Sequence, residues 1–508
     1  MREWLAPLPD AGGMRAMDAW AIDEQGVPSL QLMEAAGAAL AEAVAALAPS
    51  GPIRVVCGKG NNGGDGLVCA RLLRERGFAV EALLCWPQAE LSRDAAANLE
   101  RFDGAVMRVE GDGATAAIAG SGTVVDAIFG TGFAGAPRSP AAEAIAGINA
   151  SGAPVVAADI ASGVDASTGE TAGLAVNADV TVAFHAAKPG HLISPGKRRT
   201  GELTVAPIGI PGGAPVAAAA ASIGSGVLAL PPRRDAGSSK FSSGHVLLIG
   251  GSTGLTGAVA LAASAAIRAG AGYATAAVPD DLEPILEVKL TEVMTAGIAS
   301  GNGSFAVGSH SAALAVAERA AAIVLGPGLG RSDGARAMAA GVVAEASAPL
   351  VIDADALNAL DGRLDEVGAR AKATVLTPHS GELGRLLGRP REDVEARRLA
   401  SARDAAGAAR CVVVLKGDDT LVVDGRSADM PVAVNALASP ALATAGTGDV
   451  LAGTIGALIA RGLDEFDAAC AGVYAHARAG RIAAERVGTA ESVIAGDVVD
   501  ALAAGLRP

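Results

Sequence analysis

The residues best suited to chemistry in this 508-residue chain sit in short glycine-rich stretches. The first reads CGKGNNGGDG, from Cys57 to Gly66, and its Gly58, Gly60 and Gly63 satisfy the spacing G-x-G-x-x-G. A dinucleotide-binding turn of that spacing expects an acidic residue at the end of the next strand, to hold a ribose. Here that strand ends in Leu-Leu-Cys-Trp with Glu81 at its start, so the ribose acid is missing. The asparagine pair offers another chemistry. Side-chain carbonyls of Asn61 and Asn62 are neutral oxygen ligands suited to a large monovalent cation, and backbone N–H groups in such a turn suit phosphate. Two further stretches supply what that site lacks. VVDAIFGTGFAGAP gives Asp126 and a glycine-rich loop at 130–136, and PVVAADIASGVDAS gives Asp159 and Ser162. Asp159 suits an acid/base role; it could also cap a turn or balance a cation.

A second set lies late in the chain. LATAGTGDVLAGTIGALIA ends a loop and opens a helix, so Gly446 and Gly448 let backbone N–H groups converge where anions are favoured. Asp449 beside them can take a proton from a hydroxyl that attacks phosphorus, or can simply complement the helix dipole. VVVLKGDDTLVVDG places Lys416, Gly417, Asp418, Asp419 and Thr420 in a tight turn between two strands, a cradle for nucleotide phosphate. VLGPGLGRSD adds a glycine turn, and VLTPHSGELGRLLG presents His379 just after a strand broken by Pro378. A lone histidine is more often structural than functional.

The elements that must position these residues follow one grammar. Short β-branched runs (IRVVCG, AVEALLC, TVVDAIFG, PVVAADI and VTVAFH, then HVLLIGG, YATAAVP, AAIVLGPG, PLVIDADAL, ATVLTP and CVVVLKG) alternate with alanine-rich helical segments. That alternation predicts an α/β fold with parallel sheets covered by helices on both faces and ligands at the carboxyl ends of strands. The stretch PGGAPVAAAAASIGSG is read as a linker, which predicts domains at 1–212 and 225–508 joined by 213–224. Charged residues at 19% and a net charge of −14 describe a globular chain that is no general nucleic-acid binder. Five scattered cysteines without a C-x-x-C pair fit reduced thiols in a cytoplasm. No signal peptide is read at the start, and the longest uncharged stretch is broken by five prolines, so no membrane span is expected. A homo-oligomer is expected from the alanine-rich helix faces.

With these residues in view, GKGNNGGDGLVCARLL, VVDAIFGTGFAG and AADIASGVDASTGE resemble the N-terminal domain of the NAD(P)H-hydrate epimerases, and the likeness extends through FHAAKPGH and GELTVAPIGIP. Relatives often carry Pro where this chain has Lys59. The resemblance implies a Rossmann-like three-layer domain with a potassium site at Asn62, Asp126 and Ser162. It implies a hydrate-binding surface from Asn61, Asn62, Gly63, Gly64 and Asp65, from Gly130, Thr131, Gly132, Phe133, Ala134, Gly135 and Ala136, and from Asp159. The later motifs GGSTGLTGAVALAASAAIRAGAGYAT, LGPGLG, VIDADALN, LTPHSGE, LKGDDT and AGTGD resemble the ADP- or ATP-dependent NAD(P)H-hydrate dehydratases of the ribokinase-like superfamily. Here the resemblance implies hydrate binding by Ala258, Gly328, His379 and Asp449, and nucleotide binding by Lys416, Gly417, Asp418, Asp419, Thr420 and Gly448.

Together the two likenesses imply repair of hydrated NADH and NADPH (NADHX and NADPHX): epimerisation of R and S forms, then dehydration of the S form with ADP as co-substrate. ATP is not excluded, and Mg²⁺ is expected. Two other classes stay open: a ribokinase-like small-molecule kinase fused to a binding domain, and a non-catalytic scaffold.

Overall fold

The computed structural model describes every residue except 1, 110, 112, 216 and 217. The chain divides into two compact units, Pro7–Ala221 and Ser222–Pro508, the second joined by Met1–Ala6.

The first unit is built on a seven-stranded sheet. Its order is Ala105–Arg108, Val80–Leu84, Ile53–Cys57, Thr123–Ala127, Val155–Ala158, Val180–Phe184 and Glu202–Ala206. All six pairings are parallel. The central strands are near-continuous apolar runs because helices cover both faces, and a separate core lies on each side. Fully buried side chains such as Leu40, Ile53 and Leu73 each contribute about 1.5–3 kcal/mol. The order reverses between Ile53–Cys57 and Thr123–Ala127, so their carboxyl ends open the crevice where ligands bind in such sheets. Ala105–Arg108 and Glu202–Ala206 were not among the strands read from the sequence. Both are edge strands with mixed burial, which weakens their apolar pattern.

The second unit has a larger sheet. From His245–Ile249 it runs one way through Tyr273–Pro279 and Met294–Ile298. The other way it runs through Ala322–Leu325, Leu350–Ile352, Thr374–Leu376, Val412–Leu415, Leu421–Asp424 and Val432–Val434. The pairings are parallel as far as Val412–Leu415, and the last two are antiparallel. The turn 416–420 therefore joins a hairpin, as its position between two strands predicts. The strands Leu5–Pro9 and Ala218–Ile223 complete that edge of the sheet and carry the chain across the divide.

The predicted linker at 213–224 needs correction. Positions 216 and 217 lie outside the described residues, and Ala218–Ile223 is a strand with Ala220, Ala221 and Ile223 buried. Alanine is depleted in strands, so an alanine run carries little strand signal by itself. Residues 2–6 join the second unit because Trp4 lies 6.5 Å from Phe466, Arg2 pairs with Asp467 at 2.6 Å, and Gly224 N–H donates to the Trp4 carbonyl at 2.9 Å. All five cysteines are buried and unbonded. Among the described residues no helix is long and apolar enough to cross a membrane.

Candidate functional sites

The crevice of the first unit holds a cavity of about 640 Å³, within the size range of small-molecule sites. Asn61, Asn62, Asp65, Gly130, Thr131, Gly132, Phe133, Ala134 and Asp159 all line it. Gly63, Gly64, Gly135 and Ala136 are not part of that lining. Gly63 serves close packing: a Cβ there would stand 2.0 Å from the Gly58 carbonyl oxygen. The G-x-G-x-x-G spacing thus lets the helix Asn61–Glu75 begin directly over the strand end.

Asp126, fully buried at the next strand end, accepts from the Ser162 hydroxyl at 2.6 Å, the Ser162 N–H at 2.8 Å and the Ile128 N–H at 3.3 Å. Burial nevertheless pushes its carboxyl up to about 6. The Ser162 hydroxyl in turn accepts from the Phe129 N–H at 2.9 Å. Asn62 faces Gly130, and its buried Nδ2 has no hydrogen-bond partner among the described residues. Oxygen and nitrogen of an amide exchange places by a simple flip. An Asn62 oxygen together with the Asp126 carboxylate and the Ser162 hydroxyl would make a donor set fitted to K⁺, one charge with neutral oxygens.

Asp159 is the most constrained residue of this site. Its backbone is left-handed, φ 66°, a sparsely populated conformation that surrounding contacts must hold. One carboxylate oxygen takes the Lys188 ammonium at 2.5 Å and the Phe184 N–H at 3.2 Å; the other takes the Thr131 N–H at 3.1 Å. Lys188 is fully buried and also donates to the Phe184 carbonyl at 2.9 Å. The Lys188 N–H donates to His191 Nδ1 at 3.0 Å, which leaves the proton on Nε2, 2.7 Å from the Asp159 carbonyl. Burial raises the Asp159 carboxyl, but the Lys188 charge and hydrogen bond overcome it and hold the group below its ordinary range. Burial and the same ammonium push His191 down to about 4, so its ring is neutral.

Three features of this cavity were not read from the sequence. Lys188 and His191 lie inside the quoted FHAAKPGH, which was their only signal. Trp86, Phe129 and Phe133 form an aromatic wall, with the two phenylalanine rings stacked at 4.4 Å. In a chain with 3% aromatic residues, three at one cavity favour a planar ligand. The third is Asp18, from the helix Ala11–Ala19, which lay in no motif.

In the second unit the candidate residues also meet at strand carboxyl ends. Gly328 has φ 63°, and a Cβ on it would stand 2.4 Å from the Leu255 carbonyl oxygen and 3.1 Å from the Ala258 Cβ, so Ala258 and Gly328 lie against each other. Gly446, also left-handed, precedes the helix Thr447–Ala460 that carries Asp449 in its first turn. A Cβ on Gly448 would lie 3.4 Å from Lys416 Nζ, which puts the 416–420 turn beside that helix start.

Lys416 binds Asp353 Oδ1 at 2.7 Å and approaches Glu382 at 3.8 Å. Burial lowers the Lys416 amine, but Asp353 and Glu382 more than offset this and raise it. Asp449 lacks so close a cation: burial first, then Asp353, push its carboxyl up to about 7. Asp353 and Glu382 were not singled out from the sequence, although VIDADALN and LTPHSGE contain them. Among the described residues no three His, Cys, Asp or Glu side chains gather as metal ligands. A Mg²⁺ ion here would be completed by phosphate oxygens and water, its usual mode.

Two candidates have structural duties. Asp419 is fully buried and takes Arg398 through both oxygens, at 2.9 and 3.0 Å, so its carboxylate braces the turn from inside. Gly417 and Asp418 are exposed, while Thr420 closes the turn onto the Gly417 carbonyl at 2.8 Å. His379 caps the helix Ser380–Leu387, its Nδ1 accepting from the N–H groups of Gly381 and Glu382 at 2.9 and 3.2 Å. The ring is exposed, with its protonated Nε2 3.6 Å from the Glu382 carboxyl.

Residues 246–503 match the family model described as NAD(P)H-hydrate dehydratase, and residues 29–190 match that described as YjeF-related protein N-terminus. A protein of Moorella thermoacetica named bifunctional NAD(P)H-hydrate repair enzyme Nnr is 38% identical over 98% of this chain and 96% of its own. A Salinibacter ruber protein of the same name is 38% identical over 97% and 95%. Among solved structures, an ADP/ATP-dependent NAD(P)H-hydrate dehydratase from Bacillus subtilis, co-crystallised with ATP and Mg²⁺, is 28% identical. It covers 55% of this chain and 94% of its own, with a TM-score of 0.47.

Proposed function

The chain belongs to the family of bifunctional NAD(P)H-hydrate repair enzymes, and from that premise we propose how its two units divide the work. The first, Pro7–Ala221, interconverts the R and S hydrates of NADH and NADPH. The second dehydrates the S hydrate with ADP, releasing AMP and phosphate. In the second site the C6 hydroxyl attacks the terminal phosphorus of ADP, its proton passes to Asp449, and AMP leaves. Phosphate then departs from C6 with the C–O electron pair, helped by the ring nitrogen, and loss of a proton from the neighbouring carbon restores the double bond. Lys416, Gly417, Asp418, Thr420 and Gly448 surround the nucleotide phosphates, while Asp419 holds their turn. Ala258, Gly328 and His379 hold the hydrate.

The observation that carries this reading is Asp449, half-buried at a helix start beside Lys416, with its carboxyl raised to about 7. Such a group can accept a proton near neutrality, where a general base is most effective. In-line transfer fixes the direction of the reacting hydroxyl, so one C6 epimer reacts and the other needs an epimerase.

In the first unit, Asn62, Asp126 and Ser162 would hold K⁺, which orders the loops around Asp159. Mg²⁺ would accompany the nucleotide in the second. The test is incubation of the purified chain with mixed hydrate epimers, with and without ADP, following absorbance of the restored dihydropyridine. Full restoration of both epimers with ADP is expected, and restoration with no phosphate released would overturn the assignment. For potassium, rubidium-soaked crystals should show anomalous density among Asn62, Asp126 and Ser162. Asp126→Ala should abolish both that peak and epimerisation while leaving S-hydrate dehydration intact. A cytoplasmic homo-oligomer is the expected form; light scattering measures the assembly.

A further inference from the structure

The helix Ala11–Ala19 is firmly placed. Asp10 caps it at 2.7 Å through the Gly13 N–H, the Ala11 N–H donates to Ser167 at 3.1 Å, and Met14 and Met17 are buried. Met14, Asp18 and Ile22 follow at four-residue spacing, and all three line the cavity of the first unit. Asp18 thus enters that cavity between apolar neighbours, from a different element than Asp65 on the helix Asn61–Glu75 or Asp159 after the strand Val155–Ala158.

Epimerisation by loss and return of water needs an acid for the departing hydroxyl and a base for the water that returns. Asp159 is held ionised by Lys188 at 2.5 Å, so it is the carboxylate free of a proton and able to accept one. We propose that Asp18 is a second catalytic carboxyl of the first site, giving its proton to the C6 hydroxyl as water leaves, while Asp159 takes the proton of the water that returns. This rests on reading the first unit as the epimerase.

The step balances. The C6–O bond breaks with its electron pair on oxygen as the Asp18 proton arrives, and the ring-nitrogen lone pair forms the C6=N bond. Water then adds to C6 from either face. One water leaves and one enters, and the proton moved from Asp18 to Asp159 is restored through solvent.

Asp65 is the competing acid. It is only 9% exposed, and burial with Asp159 and Asp18 raises its carboxyl far above the ordinary range, so it holds its proton too tightly for rapid donation. Burial first, then the Asp159 charge, raise Asp18 only to about 6, against a lowering by Lys188. Lys59 and Asp94 also line the cavity, and Arg15 lies on Asp18's own helix.

The experiment uses the full chain with R hydrate and ADP under conditions where epimerisation limits NAD(P)H recovery. Asp18→Asn should lower the epimerisation kcat about 10²–10⁴-fold, the usual worth of a general acid. KM should stay within about threefold of wild type, and S-hydrate dehydration should not change. The wild-type epimerisation rate should fall as pH rises through the Asp18 titration, and that alkaline limb should vanish in Asp18→Asn. A variant with wild-type kcat overturns the proposal, as does a limb that survives Asp18→Asn but vanishes in Asp65→Asn. If Asp18→Asn fails to fold, as a thermal melt would report, the wild-type profile decides, and the lack of an alkaline limb overturns the proposal. A wild-type chain that dehydrates S hydrate but never epimerises would overturn the epimerase reading instead.

Discussion

Each unit places a lysine among several carboxyl groups at strand ends, and the two arrangements shift the candidate aspartates in opposite directions. In the first, Lys188 touches Asp159 itself and keeps the candidate acid/base ionised. In the second, Lys416 touches Asp353, and the candidate base Asp449 is left to burial and its anionic neighbours, which raise it to about 7. The difference teaches that a nearby lysine does not by itself determine an aspartate's charge. The contact partner does, at a separation of a few ångströms where the charge interaction outweighs desolvation.

The sharpest way to break the comparison is to neutralise each aspartate in the same chain. Asp449→Asn should reduce dehydration of S hydrate by about 10²–10⁴ and spare epimerisation, and Asp159→Asn should do the reverse. Separate assays with pure S and R hydrates check both; a single variant that silences the two activities together would mean the sites are not independent.

Next in size is the buried pair itself. Lys188→Met leaves a buried carboxylate without its cation, which should cost the first unit about 3–5 kcal/mol. Lys416→Met should cost less, because its side chain is one-fifth exposed and water can replace the lost partner. Urea unfolding of the two variants measures the contrast.

The pH dependence sharpens the comparison further. As a base, Asp449 works only when ionised, so dehydration should rise with pH through about 7. Its folded carboxyl sits above the unfolded value, so its contribution to stability is present at low pH and is lost as pH rises toward 7. Asp353→Asn removes a charge that raises Asp449 and frees Lys416, so the midpoint should move about one unit toward acid. A kcat/KM profile with an unmoved midpoint would refute that coupling.

The smallest expected effect is at Gly328. Gly328→Ala forces a Cβ toward the Leu255 carbonyl in a left-handed turn. It should destabilise the second unit by more than about 1 kcal/mol and raise the KM for S hydrate a few-fold, with epimerisation untouched.

Much of this was legible because parallel strands buried on both faces write themselves as apolar runs, and glycine-rich turns mark their carboxyl ends. Asn62, Asp126, Asp159, Ser162 and Asp449 all fall at such ends or at the helix starts beside them. What was not legible is the pairing. Asp159 and Lys188 are 29 positions apart, and Asp353 and Lys416 are 63 apart. Only the folded sheet brings each pair together, so no local spacing announces which carboxylate a lysine will serve. Asp18 shows the limit most clearly: a single acid on a short helix looks like solvent decoration until the cavity wall is seen. Ala218–Ile223 erred the other way, its alanines concealing a strand.

That strand and Leu5–Pro9 have a consequence for how the protein is made. The first unit is an insertion: residues 2–6 belong to the second unit, from which the chain leaves along Leu5–Pro9 and to which it returns along Ala218–Ile223. A ribosome therefore finishes the whole epimerase half before Ser222 emerges. Trp4 must wait for Phe466, which is made long after the first unit is complete. Residues 2–6 are thus made before the first unit and seated after it.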